Sequence, residues 1–167
     1  MGWSWMENTQ EGGMMVSELK NYTTTVAPEQ SIAEIEVILA MHGAKHIMKD
    51  YDDKGNCIAL NFAIQISPTQ LVGYKLPVDI LRLQQLMKKM KEDGQLKHLS
   101  RKDIDNPMTA TRIAWRLLKD WVHAQISLIE VEQVTLDQVF LPYAYNSETG
   151  KTLYEMVRDR DYKLLEG

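Results

Sequence analysis

The residues Gly150-Lys151-Thr152 are of the types found at the end of a phosphate-binding loop, where backbone N–H groups and a lysine hold the phosphates of a nucleotide. The full motif also needs a glycine five positions before Gly150 and a strand that leads into the loop. Tyr145 occupies that earlier position, and the approach to it contains Pro142. Both requirements fail, so these residues do not predict a nucleotide-binding loop.

The four histidines and the polar residues near them do not have the spacing of a metal or catalytic site. His42 and His46 are separated by a glycine that is expected to end a helix, which removes the shared face that a zinc pair needs. Asp120 and His123 could touch on one helix face, with Ser127 as a neighbouring hydroxyl. A solvated face is the favoured interpretation, because hydrolysis would also need a positioned nucleophile or a metal.

Aspartates cluster in two places, at Asp50, Asp52 and Asp53 and again at Asp159 and Asp161. Paired carboxylates can bind Mg²⁺ or act as acid and base. Turns commonly carry aspartate for a different reason, because its side chain bonds to the backbone. The sequence therefore predicts no metal ligand and no catalytic residue, and it indicates no cofactor.

The distribution of charge is more informative, because an acidic chain carries one basic segment. The net charge is −4, yet residues 82–119 hold ten Lys or Arg against four Asp or Glu, a net of +6. Clustered cations bind phosphates with an affinity that falls steeply with salt. The candidate nucleic-acid-binding residues are Lys88, Lys89, Lys91, Lys97, Arg101, Lys102, Arg112 and Arg116. Aromatic residues are not interleaved with them, so sequence-specific single-strand recognition is not indicated, and a solvated basic face is the alternative.

Length and composition are those of an ordinary globular domain. The 167 residues are 44% hydrophobic and 25% charged, which suits one domain with a buried core. The only cysteine, Cys57, leaves no intramolecular disulfide and disfavours a secreted scaffold. No apolar run approaches the roughly 18 residues of a membrane span, and no secretory signal is apparent. We therefore expect a cytoplasmic protein with no membrane partner.

Hydrophobic periodicity predicts the elements that position these residues. Strict alternation over residues 57–66 is typical of a strand with one buried face, and short turns on both sides predict an antiparallel meander. The predicted strands are 22–26, 45–51, 57–66 and 72–76, and the predicted helices are 28–42, 80–92, 107–132, 135–140 and one from about 151. Asp79 can cap the helix at 80–92. Residues 95–105 are expected to be a polar connector. The fold class is α+β: two layers, with a three- to four-stranded, mostly antiparallel sheet packed against helices that include one long central helix.

The long helix has a polar arc of roughly 100° and an apolar arc of roughly 220° that contains Trp115 and Trp121. A helix that rests on one surface needs a narrower stripe. We expect this helix to be contacted from several sides inside the core, with an oligomer interface as the alternative.

The N-terminus indicates a leader. The codons for Gln10 to Gly13 would contain a purine-rich bacterial ribosome-binding sequence just before Met14 and Met15. We interpret residues 1–19 as a disordered or leader segment, with the natural start at Met14 or Met15, and residues 20–167 as a single domain. An ordinary disordered tail is the alternative.

Four stretches resemble a family of small uncharacterised proteins of bacteriophages and prophages. They are Tyr-Thr-Thr-Thr-Val at 22–26, Arg-Ile-Ala-Trp-Arg-Leu-Leu-Lys-Asp-Trp-Val at 112–122, Phe-Leu-Pro-Tyr at 140–143 and Gly-Lys-Thr-Leu-Tyr-Glu at 150–155. The resemblance covers about residues 20–155. It implies a setting, the cytoplasm of a bacterial host cell, and no mechanism.

These observations favour a non-catalytic phage or mobile-element accessory protein that binds a nucleic acid or nucleoprotein complex through residues 82–119. The main alternative is a host-directed, anti-defence inhibitor that binds a bacterial protein or captures a small signalling nucleotide. A metal-dependent hydrolase that uses the hairpin aspartates ranks third.

Overall fold

The computed structural model describes residues 19–165, apart from the side chain of Leu164. Within that range the chain forms three β-strands and six α-helices, with short 3₁₀ helices at Leu141–Tyr143 and Lys163–Leu165. In chain order the elements are α1 (Pro28–Met41), β1 (Ala44–Tyr51), β2 (Cys57–Ser67), β3 (Gln70–Pro77), α2 (Ile80–Glu92), α3 (Arg101–Asp105), α4 (Pro107–Glu130), α5 (Leu136–Phe140) and α6 (Leu153–Asp159).

The strands form one antiparallel sheet in the order β1-β2-β3. The edge at β3 is partly covered, because an antiparallel bridge joins Tyr74 to Ala144. The side chain of the following residue, Tyr145, lies across β3 at Gly73, where a Cβ atom would be 2.7 Å from the Tyr145 Cε1 atom. The missing side chain at Gly73 therefore lets the C-terminal segment approach the sheet.

The main core lies between one face of the sheet and the helices α1 and α4. Leu60 and Phe62 of β2 are buried on that face. Ile35 of α1 and Trp115 of α4 are fully buried in the same cluster. The indole N–H of Trp115 donates to the backbone oxygen of Cys57 at 3.2 Å, which satisfies the polar atom that this large ring takes out of water.

A second apolar cluster surrounds the first half of α4. Met87 and Met90 of α2, Ile104 of α3 and Ile113 of α4 are all buried in it. Tyr22, from the turn before α1, is buried there as well. This cluster attaches the two helices that carry most of the basic segment to the long helix.

The predicted fold class is confirmed, since three antiparallel strands pack against helices that include one long helix. The predicted range of α2, 80–92, matches the structure. Its predicted cap is also present, because the Asp79 carboxylate accepts a hydrogen bond from the backbone N–H of Arg82 at 2.9 Å. The sheet has the smaller of the two expected strand numbers.

The strand predicted for residues 22–26 is wrong. Residues 20–23 form a turn in which Asn21 has a φ of 63°, and residues 24–27 form no regular element. The cause is tertiary, because Tyr22 is buried in the second cluster and the Asn21 amide donates to Asp120 at 3.0 Å. These contacts override the β-propensity of the threonines, which is a weak and context-dependent preference.

The connector predicted for residues 95–105 contains a helix, α3. Five residues are too few to show a helical period. The available signal was the spacing of Ser100 and Asp103, which is that of a capping box. The leader predicted for residues 1–19, with its start at Met14 or Met15, lies outside the described residues except for Leu19.

The broad apolar arc of α4 is used largely within the fold. The helix contacts α1, α2 and α5, and its side chains enter both apolar clusters. Of its large hydrophobic residues, only Met108 and Leu128 are exposed. Among the residues that the structure describes, no helix is both long and apolar enough to cross a bilayer.

Candidate nucleic-acid interface

The helices α2 and α3 meet beside the second cluster and enclose a small concavity with a volume of about 170 Å³. Lys88 and Lys91 of α2 and Arg101 of α3 line it, together with two acids, Glu92 and Asp105. Residues that lie up to 17 positions apart in the chain are thus brought around one opening.

The lysines of α2 are directed outward because the same helix buries its methionines. Met87 and Met90 are buried in the second cluster. Lys88 and Lys89 are exposed, and Lys91 is partly buried. This is the amphipathic division expected of a helix that rests on one apolar cluster.

The capping box fixes the start of α3. The Ser100 hydroxyl oxygen accepts a hydrogen bond from the backbone N–H of Asp103 at 3.1 Å, and the Asp103 carboxylate accepts one from the backbone N–H of Ser100 at 2.9 Å. Hydrogen bonds from the Ser100 side chain and backbone hold the pKa of Asp103 below its usual value. Arg101 and Lys102 therefore stand on a helix with a defined start.

A side chain of α2 also holds the end of α3. The Gln84 amide donates to the backbone oxygens of Ile104 and Asp105, both at 3.0 Å. These oxygens belong to the last residues of a helix and have no partner within it. Gln84 therefore links the end of α3 to α2.

Most cations of this region lack an acidic partner. Lys89, Lys97, Arg101 and Lys102 are exposed, and none of them forms a salt bridge within the described part of the chain. The Lys88 ammonium lies 3.4 Å from the Asp105 carboxylate, but both side chains are more than half exposed, so this pair is weak. We call one group of residues the basic face: Lys88, Lys89, Lys91, Lys97, Arg101 and Lys102.

The two arginines of α4 are placed differently. Arg116 is drawn towards α1, where its guanidinium donates to the Glu34 carboxylate at 3.2 Å. Arg112 lies one turn before Arg116 on the same helix face and has no salt bridge among the described residues. The structure does not bring Arg116 to the basic face.

The polar side of α4 forms an ionic network around Asp120. Its carboxylate accepts hydrogen bonds from the Asn21 amide at 3.0 Å and from the ammonium groups of Lys20 and Lys119, each at 2.9 Å. Burial opposes ionisation of this group, but these donors outweigh burial and hold the pKa of Asp120 well below its usual range. The Lys119 ammonium also lies 3.6 Å from Glu34. The network joins the N-terminal turn, α1 and α4.

This network is incompatible with an acid–base arrangement of Asp120, His123 and Ser127 on α4. The Asp120 carboxylate is occupied by the three donors described above. The Ser127 hydroxyl donates to the backbone oxygen of His123 at 2.9 Å. Asp120 is therefore not positioned as the orienting partner of His123, and Ser127 has a structural hydrogen bond.

Each residue of the Gly150-Lys151-Thr152 sequence has a structural role. Gly150, with a φ of 68°, closes a turn by donating its N–H to the backbone oxygen of Asn146 at 2.8 Å. The Lys151 ammonium pairs with Asp159 at 2.7 Å, and Thr152 caps α6. No glycine-rich phosphate cradle is formed here.

The hairpin aspartates do not converge. The Asp52 carboxylate accepts hydrogen bonds from the backbone N–H groups of Lys54 and Asn56, at 2.9 and 2.8 Å, and so builds the turn. Asp50 instead pairs with Lys75 of β3 at 3.2 Å. Within residues 19–165, no three His, Cys, Asp or Glu side chains come together in a way that could hold a metal ion.

An aromatic pair adjoins the basic face, and one of its two rings, His98, belongs to the basic segment. The rings of Tyr22 and His98 stack with centroids 6.2 Å apart and an interplanar angle of 27°. His98 is exposed and follows Lys97 directly. The sequence could not reveal this pair, because Tyr22 is remote in the chain and was assigned to a strand.

Protein-family models, curated proteins and solved structures were each compared with the chain, and none of them matches it. The geometry of the chain itself therefore carries the functional argument.

Proposed function

We propose that this chain is a non-catalytic accessory protein of a bacteriophage or other mobile element that binds a nucleic acid or nucleoprotein complex through the basic face. The observation that carries the proposal is the meeting of Lys88, Lys91 and Arg101 around one concavity in a chain whose net charge is −4. The phage setting rests on the sequence motifs at residues 22–26, 112–122, 140–143 and 150–155.

The size of the concavity suits one phosphate group. Its 170 Å³ is below the roughly 300 Å³ at which pockets for whole small ligands begin. Lys89 and Lys102 each follow a lining residue in the chain, Lys97 lies in the connector between α2 and α3, and all three are exposed. A row of phosphates, as in a nucleic-acid backbone, uses all of these charges, whereas a single small anion uses only the central ones.

The salt dependence of binding follows from the unpaired charges. Lys89, Lys97, Arg101 and Lys102 form no salt bridge within the described part of the chain. If each displaces one condensed counterion from duplex DNA, the logarithm of the association constant falls with the logarithm of salt concentration with a slope of about −3.6. Arg116 adds nothing to this slope while it is paired with Glu34.

The stacked rings beside Lys97 favour strands with unpaired bases. Bases stack on aromatic side chains with little dependence on sequence. His98 is exposed in this pair, so one ring is accessible to a base from solvent. We expect single-stranded DNA or RNA to bind more tightly than a duplex of the same length.

The test is a fluorescence-anisotropy titration of the full chain with labelled single-stranded DNA, single-stranded RNA and duplex DNA at rising salt. The double variant Arg101→Ala/Lys102→Ala should bind less tightly and reduce the magnitude of the slope by about 1.8 for duplex DNA. The matched control is Lys45→Ala/Lys54→Ala, which removes two exposed cations without a salt bridge near β1, and it should behave as the wild type.

The absence of binding at low salt would overturn the proposal, and so would equal losses in the test and control variants. A pull-down from host lysate separately distinguishes nucleic-acid binding from inhibition of a host protein. Nucleic acid that depends on Arg101 and Lys102 supports the proposal. A stoichiometric host protein that survives nuclease treatment, without nucleic acid, supports the host-directed inhibitor instead.

A further inference from the structure

A larger cleft, which shares no lining residue with the concavity of the basic face, lies where β3 passes into α2. Its volume is about 560 Å³, and the C-terminal residues that follow α5 form its opposite wall. Pockets for small molecules commonly measure roughly 300–1,000 Å³, so this cleft can hold a molecule of nucleotide size. We call it the tyrosine cleft, after Tyr143 and Tyr154, which line it together with Lys75, Arg82 and Arg158.

Three elements contribute a cation to the tyrosine cleft. Arg82 of α2 is exposed and has no salt bridge among the described residues. Arg158 of α6 is 52% exposed and is held only loosely, with its guanidinium 3.4 Å from Asp159. Lys75 of β3 pairs with Asp50 at 3.2 Å. At least Arg82 is thus available to an anionic ligand without the loss of an internal ion pair.

The two acids that line the cleft are already used by the helices. The Asp79 carboxylate accepts the backbone N–H of Arg82 at 2.9 Å as the cap of α2. The Glu155 carboxylate accepts the backbone N–H of Thr152 at 2.8 Å and its hydroxyl at 3.0 Å. The bonds from the backbone and side chain of Thr152 hold the pKa of Glu155 below its usual value. Helix capping accounts for both acids, whereas Arg82 has no salt bridge among residues 19–165.

The cleft also offers flat aromatic surface. Tyr143 is anchored to the core, since its ring lies 5.5 Å from that of Trp121. Tyr154 is 51% exposed, and the Arg158 guanidinium lies 5.7 Å from its ring centre. A ring together with an adjacent guanidinium can bind a planar heterocycle by stacking and its negative group by charge.

From this combination we propose that the tyrosine cleft binds a nucleoside phosphate, with the base against Tyr154 and Tyr143 and the phosphate at Arg82 and Arg158. The same chemistry occurs in a free nucleotide and in the terminal nucleotide of a strand. The tyrosine cleft and the basic face are separate sites, because they share no lining residue and Arg82 lies about 9 Å from Lys88 along the axis of α2.

The test is calorimetric titration of the full chain with adenosine monophosphate and guanosine monophosphate, and with adenosine and inorganic phosphate as the separated halves. We expect at least one monophosphate to bind with a Kd below about 1 mM, and each half to bind at least about tenfold more weakly. A short oligonucleotide with a 5′ phosphate, compared with its unphosphorylated form, separates the strand terminus from the free nucleotide.

Variants then locate the site. Arg82→Ala and Tyr154→Ala should each weaken monophosphate binding about tenfold, which corresponds to about 1.4 kcal/mol. Both side chains are exposed, so the fold should persist, and a thermal melt checks it. Tyr51→Ala, an exposed tyrosine of β1, and Lys45→Ala, an exposed cation of β1, are the matched controls and should bind like the wild type.

The absence of monophosphate binding would overturn this proposal, and so would binding that both test variants retain or that the controls lose equally. Its failure is distinguishable from failure of the proposed function. Loss of monophosphate binding in Arg82→Ala tests the tyrosine cleft, whereas loss of long-strand binding in Arg101→Ala/Lys102→Ala tests the basic face.

Discussion

Replacing Asp120 by Asn removes one charge from the centre of the network that joins the N-terminal turn to α4. The side chain is 21% exposed and accepts hydrogen bonds from Asn21, Lys20 and Lys119. The substitution keeps the size of the side chain and replaces one acceptor oxygen by an N–H₂ group. That group faces donors, so at least one hydrogen bond is lost and an unfavourable contact takes its place.

The expected loss of unfolding free energy depends on how exposed the donors to Asp120 are. A hydrogen bond to a charged group contributes roughly 1.5–3 kcal/mol when it is shielded from water. The Lys20 side chain is 68% exposed, so its contribution is small, whereas that of Lys119 is 14% exposed. We expect Asp120→Asn to lower the free energy of unfolding by about 2 kcal/mol. For a chain of this size the Tm falls by roughly 4–8 °C.

The same hydrogen bonds make the stability difference between the wild type and Asp120→Asn depend on pH. The donors to Asp120 hold its pKa well below the ordinary value of 3.8, so its folded-state pKa is lower than its unfolded-state pKa. A depressed pKa contributes stability that is present above the unfolded value and is lost as the pH falls through the folded value. The difference between wild type and variant should therefore be constant near neutral pH and decrease in acid, starting below 3.8.

The assay is urea unfolding, followed by circular dichroism, of the wild type, Asp120→Asn and the control Asp53→Asn. Asp53 is an exposed turn aspartate without a salt bridge among the described residues, so its variant should match the wild type. Equal stability of Asp120→Asn and Asp53→Asn, or a deficit of Asp120→Asn that grows in acid, would refute the reasoning.

Three further substitutions test other parts of the fold, each by urea unfolding against the wild type. The His42 ring forms hydrogen bonds with the backbone oxygen of Ile38 in α1 and, at 2.9 Å, with Glu130, and the backbone bond is the main cause of its raised pKa. The stability lost in His42→Gln should therefore be largest below pH 6.5 and decrease as the pH rises. A loss that does not depend on pH would contradict this. Gly73→Ala should cost about 1–3 kcal/mol through its clash with the Tyr145 ring, and the cost should vanish in a Tyr145→Ala background; persistence there would place the strain elsewhere. Ser100→Ala should cost about 1 kcal/mol by removing the cap of α3, whereas no loss would mean that α3 does not depend on its cap.

The sequence was most informative where a local signal and the tertiary packing agree. The alternation of β2 and the Asp79 cap of α2 predicted both elements, because burial of one face and capping act within a few residues. Tyr22 shows the opposite case. Its β-branched neighbours favour a strand, but burial of its ring between α2, α3 and α4 decides the backbone, and those partners lie far away in the chain.

The candidate site was predictable as a set of charges but not as a surface. Composition identifies the cations of residues 82–119, yet it cannot show that Arg116 pairs with Glu34 whereas Arg101 remains unpaired. Salt bridges depend on which helix faces pack together. The tyrosine cleft was not predictable for the same reason, because Arg82 and Tyr154 are brought together only by the fold.

The most direct test of nucleic-acid binding by the basic face is a ¹H–¹⁵N correlation spectrum of the full chain, recorded while a short single-stranded oligonucleotide is added at low salt. The largest shifts should occur at residues 88–102 and should reverse when salt is raised. Little change is expected at the hairpin of residues 52–56, which carries a net negative charge, and at residues 116–123, where Arg116, Lys119 and Asp120 form salt bridges. Shifts confined to those segments, or no shifts at any oligonucleotide concentration, would contradict it.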